Sequence, residues 1–268
     1  MQGLRDATPS RASAKWLASA RLLSLVMFMA AACLSFKLQA EPLKIAVAAN
    51  FAAPIKELVQ AYRQQTGQEV LVSLGSTGKF HAQIQHGAPY DVLLAADESV
   101  PRKLIAEGLA EPGSLFTYAI GTLVLWSPAK DYVKGPDVLR SNHYRKLAVA
   151  DPKLAPYGMA AYQVLKNLGD LDVIASRIVT GESIVQAYQF VASGNAQLGF
   201  VAMSQVFENG ELKSGSAWVV PENLYQPIRQ DAVTLKKSQD RHEAIRWMQF
   251  LQSDAARAII QRFGYRTP

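Results

Sequence analysis

The chain is 268 residues long, 49% hydrophobic and 19% charged, with a formal net charge of +6. That apolar content excludes a disordered tail, one apolar run in place of several excludes a polytopic membrane protein, and a lone cysteine excludes a disulfide scaffold or a Cys-rich metal centre. The length suits one large domain or two of ordinary size.

The first element is a targeting signal. Residues 22–36 read LLSLVMFMAAACLSF, preceded by Arg5, Arg11, Lys15 and Arg21 and followed by Leu38-Gln39-Ala40. A basic start, a short apolar run and a small residue at the cut build a secretory signal peptide, and the run is short of the roughly 20 apolar residues a membrane span needs. Residues 1–40 are therefore read as a signal peptide, cleaved before Glu41, which sends the mature chain to the periplasm. Five of the basic residues and one acid lie in that segment, so the mature chain carries only +2. The apparent basicity belongs to the signal and carries no case for nucleic-acid or polybasic membrane binding. Cys33 leaves too, and the exported fold is held by its core alone.

Strands and helices then alternate. Residues 44–48 (KIAVA) form a buried strand. Pro54 opens a helix with Ile55, Leu58, Val59 and Tyr62 as its apolar stripe and Gly67 at its end. Residues 70–72 are a strand, 75–78 (GSTG) a turn, 79–86 a helix and 91–95 a third strand, a βαβαβ pattern that predicts a parallel sheet covered by helices. The pattern resets at 117–126, a long β-like stretch. A strand at 147–150 precedes a helix with Ala161, Val164, Leu165 and Leu168 on one face. Ser183 caps a helix that ends at Gly194. Strands at 198–201 and 228–235 follow, then two helices, the second capped by Ser253.

Catalytic motifs are missing from this pattern. There is no G-x-S-x-G, no H-E-x-x-H and no G-x-G-x-x-G after the first strand. His81, His86, His143 and His242 are scattered and read as surface residues. Gly75 to Lys79 (GSTGK) has two residues between its glycines where a phosphate loop needs four. What stands out is four strand-to-helix junctions with small or polar residues: Ala49-Asn50, Ser76-Thr77, Tyr157-Gly158 and Ser183-Ile184. A helix start offers unpaired N–H groups and the positive end of the dipole, and so binds oxyanions without Lys or Arg. Each junction alone is also an ordinary N-cap. Asp97, Asp151 and Glu182 near them read as turn or solvated carboxylates, and Lys79 as pointing to solvent.

Together these pieces resemble the periplasmic molybdate-binding proteins that serve ABC importers. The resemblance rests on KIAVAANF from Lys44, GSTG from Gly75, GAPYDVLLAAD from Gly87, FTYAIGTLVLW from Phe116, DPKLAPYG from Asp151, GESIVQA from Gly181, LGFVA from Leu198 and the terminal FGY from Phe263, and it spans residues 41–268. It implies an α/β type II periplasmic binding fold of two α/β lobes joined by crossing strands. Lobe I would be 41–121 with a return over 228–268, and lobe II 122–227. Carried over by motif, the oxyanion site falls on Asn50, Thr77, Tyr157 and Ile184, with Ala49 and Ser76 beside them. Some members of the family have a hydroxyl residue where this chain has Ala49, and some a tyrosine where it has Ala202.

The implied function is capture of molybdate and tungstate between the lobes by neutral hydrogen-bond donors and delivery to an ABC permease in the inner membrane. The protein would act as a monomer, with no catalysis, no cofactor, and molybdenum present only within the bound oxyanion. Other readings are a binding protein for sulfate, phosphate, thiosulfate or iron, an enzyme of similar lobed fold, and an extracellular sensory or structural module. The enzyme reading lacks a histidine or an evident acid–base pair in the expected cleft.

Overall fold

The computed structural model describes residues 41–268, and the segment read as a signal peptide lies outside the described residues. Two five-stranded sheets organise the chain. The first begins with β1 (Leu43–Ala48) and takes in β2 (Val70–Gly75), β3 (Val92–Leu94), β4 (Phe116–Gly121) and β12 (Ile228–Thr234) in the order β2-β1-β3-β12-β4. The second orders its strands β11-β5-β8-β6-β7, from β5 (Leu123–Ser127), β6 (Leu147–Ala150), β7 (Ile178–Gly181), β8 (Leu198–Ala202) and β11 (Ser216–Val219). A short hairpin of β9 (Phe207–Glu208) and β10 (Glu211–Leu212) stands apart.

Side-chain alternation explains the unbroken apolar runs. In β1, Leu43, Ile45 and Val47 face one core and Ala46 another. A strand covered on both faces has no solvent side, hence the continuous apolar sequence. One face packs on α1 (Ala52–Thr66), α8 (Arg241–Leu251) and α9 (Asp254–Arg262) through Ile55, Leu58, Tyr62, Trp247 and Ile260. The other packs on α2 (Thr77–Gln85) and α3 (Ser99–Ala106) through Phe80, Ile84 and Leu104. The second sheet is flanked by α4 (Pro156–Asn167), a short α5 (Leu171–Ile174) and α6 (Ile184–Ala192), with a further turn, α7 (Met203–Val206), after β8. Ser183 and Ser253 cap α6 and α9 as read, accepting the N–H groups of Gln186 and Ala256.

Several expectations are corrected. The parallel arrangement expected of the βαβαβ stretch holds for β1, β2 and β3, but each sheet as a whole is mixed: β12 runs antiparallel to β3 and β4, and β5 antiparallel to β8 and β11. The first helix starts at Ala52, not Pro54, because a 3-10 turn over Ala49–Phe51 leads straight into it and Pro54 sits in the first turn, where its missing N–H costs nothing. The stretch 117–126 is two strands. β4 belongs to the first sheet, β5 to the second, and Thr122 alone separates them. The chain returns between β11 and β12. Helix α3 and strands β7 and β11 were not expected. Pro101 masks the first, and the two strands are short sheet edges.

Candidate functional site

Parallel register builds the site. β1 and β2 pair so that Ala48 lies opposite Gly75, and β6 and β7 so that Ala150 lies opposite Gly181. Each sheet therefore releases two chains at one level from its carboxyl edge, and each chain turns into a helix: the 3-10 turn and α1, α2, α4 and α6. Open α/β sheets place ligand crevices at this edge. The two edges face each other, and all six expected residues line one cavity: Ala49, Asn50, Ser76 and Thr77 from the first sheet's side, Tyr157 and Ile184 from the second's. All six are buried. The cavity is tight: only about 10 Å³ of it is open to a water-sized sphere, far below the roughly 300–1,000 Å³ of pockets for drug-sized molecules. A larger groove opens beside it and shares the walls Ala96, Ala155 and Pro156.

The cavity is lined by donors and methyl groups. Ser76 Oγ is buried without a hydrogen-bond partner. Thr77 Oγ1 accepts the Ala96 N–H at 3.0 Å, which leaves its own proton to donate. Neither α2 nor α4 has a side-chain cap, and the N–H groups of Thr77 and Tyr157 have no acceptor within the helix, whereas those of Gly78 and Gly158 donate to the Leu154 and Ala155 carbonyls. Ile184 opens α6, where the Ser183 hydroxyl serves Gln186. Both side-chain donors of Asn50 are taken, by Gln230 Oε1 at 2.9 Å and Tyr265 Oη at 3.0 Å. Ala48, Ala49, Ala96 and Ala155 supply the rest of the wall. Ala202 lies outside it, at the end of β8, its N–H bonded to Gln205.

Charged side chains stand around the cavity rather than in it. Lys79 does not run free into solvent: it pairs with Glu182 across the cleft mouth. Beside that pair the Gly78 N–H donates to the Leu154 carbonyl at 3.1 Å, joining the two halves through main chain. Asp97 accepts the Val100 N–H at 2.7 Å in the first turn of α3, and burial pushes its carboxyl above the ordinary range. Asp151 accepts the Lys153 N–H at 2.8 Å. His81 is half-buried against Glu107, not on the open surface. Among the described residues no three His, Cys, Asp or Glu side chains gather as a metal site.

Sequence reasoning missed what lies behind the wall. Gln230 of β12 accepts from Asn50 and, at 3.1 Å, from Tyr118 Oη, and donates to Tyr157 Oη at 3.2 Å. Tyr265 Oη donates to the Asn50 carbonyl at 2.8 Å and lies 3.0 Å from Ser204 Oγ, which also reaches that carbonyl. Burial raises the phenols of Tyr118 and Tyr157 far above their ordinary value and that of Tyr265 to about 12, so the cluster stays protonated and neutral. The signal was faint: a glutamine inside a strand and a tyrosine near the terminus.

The match to known proteins spans the described chain. The family model described as bacterial extracellular solute-binding protein covers residues 43–266. The molybdate-binding protein ModA of Azotobacter vinelandii is 49% identical over 91% of this chain and 97% of its own length, and that of Rhodobacter capsulatus 44% over 93% and 96%. The solved structure of the Azotobacter vinelandii periplasmic molybdate-binding protein superposes with a TM-score of 0.82 at 43% identity, covering 84% of this chain and 99% of the other. The expected α/β type II periplasmic binding fold is thereby met.

Proposed function

The chain belongs to the bacterial extracellular solute-binding proteins, a family of binding proteins rather than enzymes, and from that premise we propose that it captures molybdate, and also tungstate, in the cavity of Ala49, Asn50, Ser76, Thr77, Tyr157 and Ile184. The observation that carries this reading is the buried Ser76 hydroxyl with no partner, set among uncapped helix starts in a cavity whose lining residues bear no charge.

The chemistry follows from the donors. Molybdate is a tetrahedral dianion without a proton at neutral pH, so its oxygens accept hydrogen bonds and donate none. Ser76 Oγ, Thr77 Oγ1 and the N–H groups of Thr77 and Tyr157 can all donate, and hydrogen bonds to a charged acceptor are about twice as strong as neutral ones. Two pairs of helix starts add the positive ends of their dipoles. Protonated phosphate would bury an O–H that finds no carboxylate in the lining, at about 1–3 kcal/mol. Sulfate carries the right charge, but its shorter bonds leave the donors out of reach. Tungstate nearly matches molybdate in size, and hydrogen bonding scarcely separates the two. Iron sites draw on tyrosinates and carboxylates, whereas Tyr157 is held protonated.

In this reading lobe I is 41–121 with 228–268 and lobe II is 122–227. They close on the anion, and the closed monomer hands it to an ABC permease after export under the signal of residues 1–40. Calorimetry with molybdate, tungstate, sulfate and phosphate tests it. The expected result is one equivalent of molybdate or tungstate bound tightly, with a gain of about 4 kcal/mol in stability at a thousandfold excess over Kd. Sulfate binding as tight as molybdate refutes it.

A further inference from the structure

The geometry points to Gln230 as a positioning residue that couples the two halves of the anion site, an inference that rests on the oxyanion reading of the cavity. Gln230 does not itself line the cavity. It is fully buried one layer behind the cavity, on the strand by which the chain returns to the first sheet. Its amide has two ends, and they serve opposite sides. Oε1 accepts from Asn50 Nδ2, which belongs to the 3-10 turn on the first sheet's side. Nε2 donates to Tyr157 Oη, which belongs to α4 on the second sheet's side. Asn50 and Tyr157 both line the cavity and both stand at helix starts. One side chain thus fixes the distance between two donor-bearing turns that otherwise belong to separate sheets.

Local structure is arranged to free this amide for that task. Pairing between β12 and β4 shifts register between Gln230 and Asp231, so that Tyr118 is the extra residue on β4. A bulge of this kind re-aims the side chains around it, and Tyr118 Oη comes to lie 3.1 Å from Gln230 Oε1. Nearby on β4, Gly121 leaves bare backbone. A Cβ there would overlap Tyr157 Oη and stand 2.7 Å from Gln230 Nε2. Every partner of Gln230 is neutral, so the link holds without adding charge behind a bound dianion.

The test is a double-mutant cycle on molybdate affinity with Q230L, Y157F and the pair, read by calorimetry, beside the melting temperature of each unliganded protein. Y157F removes the phenol oxygen but keeps the main-chain N–H at the cavity. The expected result is that Q230L raises Kd about tenfold, that Y157F does nearly the same, and that the pair is no worse than Q230L alone, because both break one link. Kd unchanged in Q230L, with only a lower melting temperature, would make the amide ordinary core and overturn the inference, as would effects that multiply in the pair. Should Q230L fail to fold, Y157F decides alone: an unchanged Kd overturns it. Wild-type protein that binds no oxyanion sinks the functional reading as well, whereas wild-type binding with indifferent variants sinks this inference only.

Discussion

Replacing Ser76 by alanine separates the cost of the site from its use. Ser76 Oγ is buried and no protein group satisfies it, and an unsatisfied buried hydroxyl costs about 1–3 kcal/mol. Alanine removes that oxygen and leaves a methyl-sized group in a wall already made of alanines. The free protein should therefore be as stable as wild type or more stable, by up to about 1–3 kcal/mol. Binding moves the other way. A hydrogen bond to a charged acceptor contributes about 1.5–3 kcal/mol, so S76A should raise Kd for molybdate about 10- to 150-fold. Urea denaturation without ligand gives the first quantity and calorimetry the second. The opposed signs are what matters: a purely structural hydroxyl would lose stability and leave affinity alone. An S76A protein that is less stable by about 1 kcal/mol or more and binds with unchanged Kd would refute the reasoning.

Four further outcomes follow from the same geometry. T77V strands the buried Ala96 N–H and also removes a donor, so both free stability, by about 1–3 kcal/mol in urea, and molybdate affinity should fall, unlike S76A. E182Q breaks the exposed pair with Lys79, which is half open to solvent, and should raise Kd less than about fivefold, with the effect vanishing when calorimetry is repeated at high salt. G158A places a Cβ that overlaps the Ala150 carbonyl oxygen and stands 2.7 Å from its carbon, pushing α4 off β6; a loss of about 1–3 kcal/mol in urea, with weaker binding, is expected. For Asp97 the raised carboxyl means that the folded chain keeps a proton the unfolded chain has released, so its burial costs stability as pH rises from about 3.9 through the raised value. D97N keeps an oxygen for the Val100 N–H and should be at least as stable as wild type at neutral pH. That advantage should fade below about pH 4 when urea midpoints are compared.

The four junctions could be read in the sequence because each is a local event. An apolar run stops, a small or polar residue follows, and a helix stripe begins. That they converge on one cavity depends on the pairing of Ala48 with Gly75 and of Ala150 with Gly181, which no single stretch encodes. Thr122 was illegible as a boundary because residues on both sides are equally apolar and β-prone, although they pack in different cores. Lys79 and Glu182 lie 103 residues apart, and a lysine beside a turn reads as solvated until the opposite wall is placed. Gln230 was hidden for a related reason. A polar residue within a strand reads as the outward face, and its partners Asn50, Tyr118 and Tyr157 all lie far away in sequence.

The bare backbone at Gly121 bears on how near the two walls of the cavity can stand. Tyr157 brings its ring tip against the one position of β4 where no side chain stands in the way. A single methyl there would work as a doorstop, keeping α4 at a distance and widening the hollow between the helix starts. The calibre of the hollow is thus set partly by an atom that the chain leaves out, and under the proposed oxyanion reading so is the discrimination between short and long bonds to oxygen.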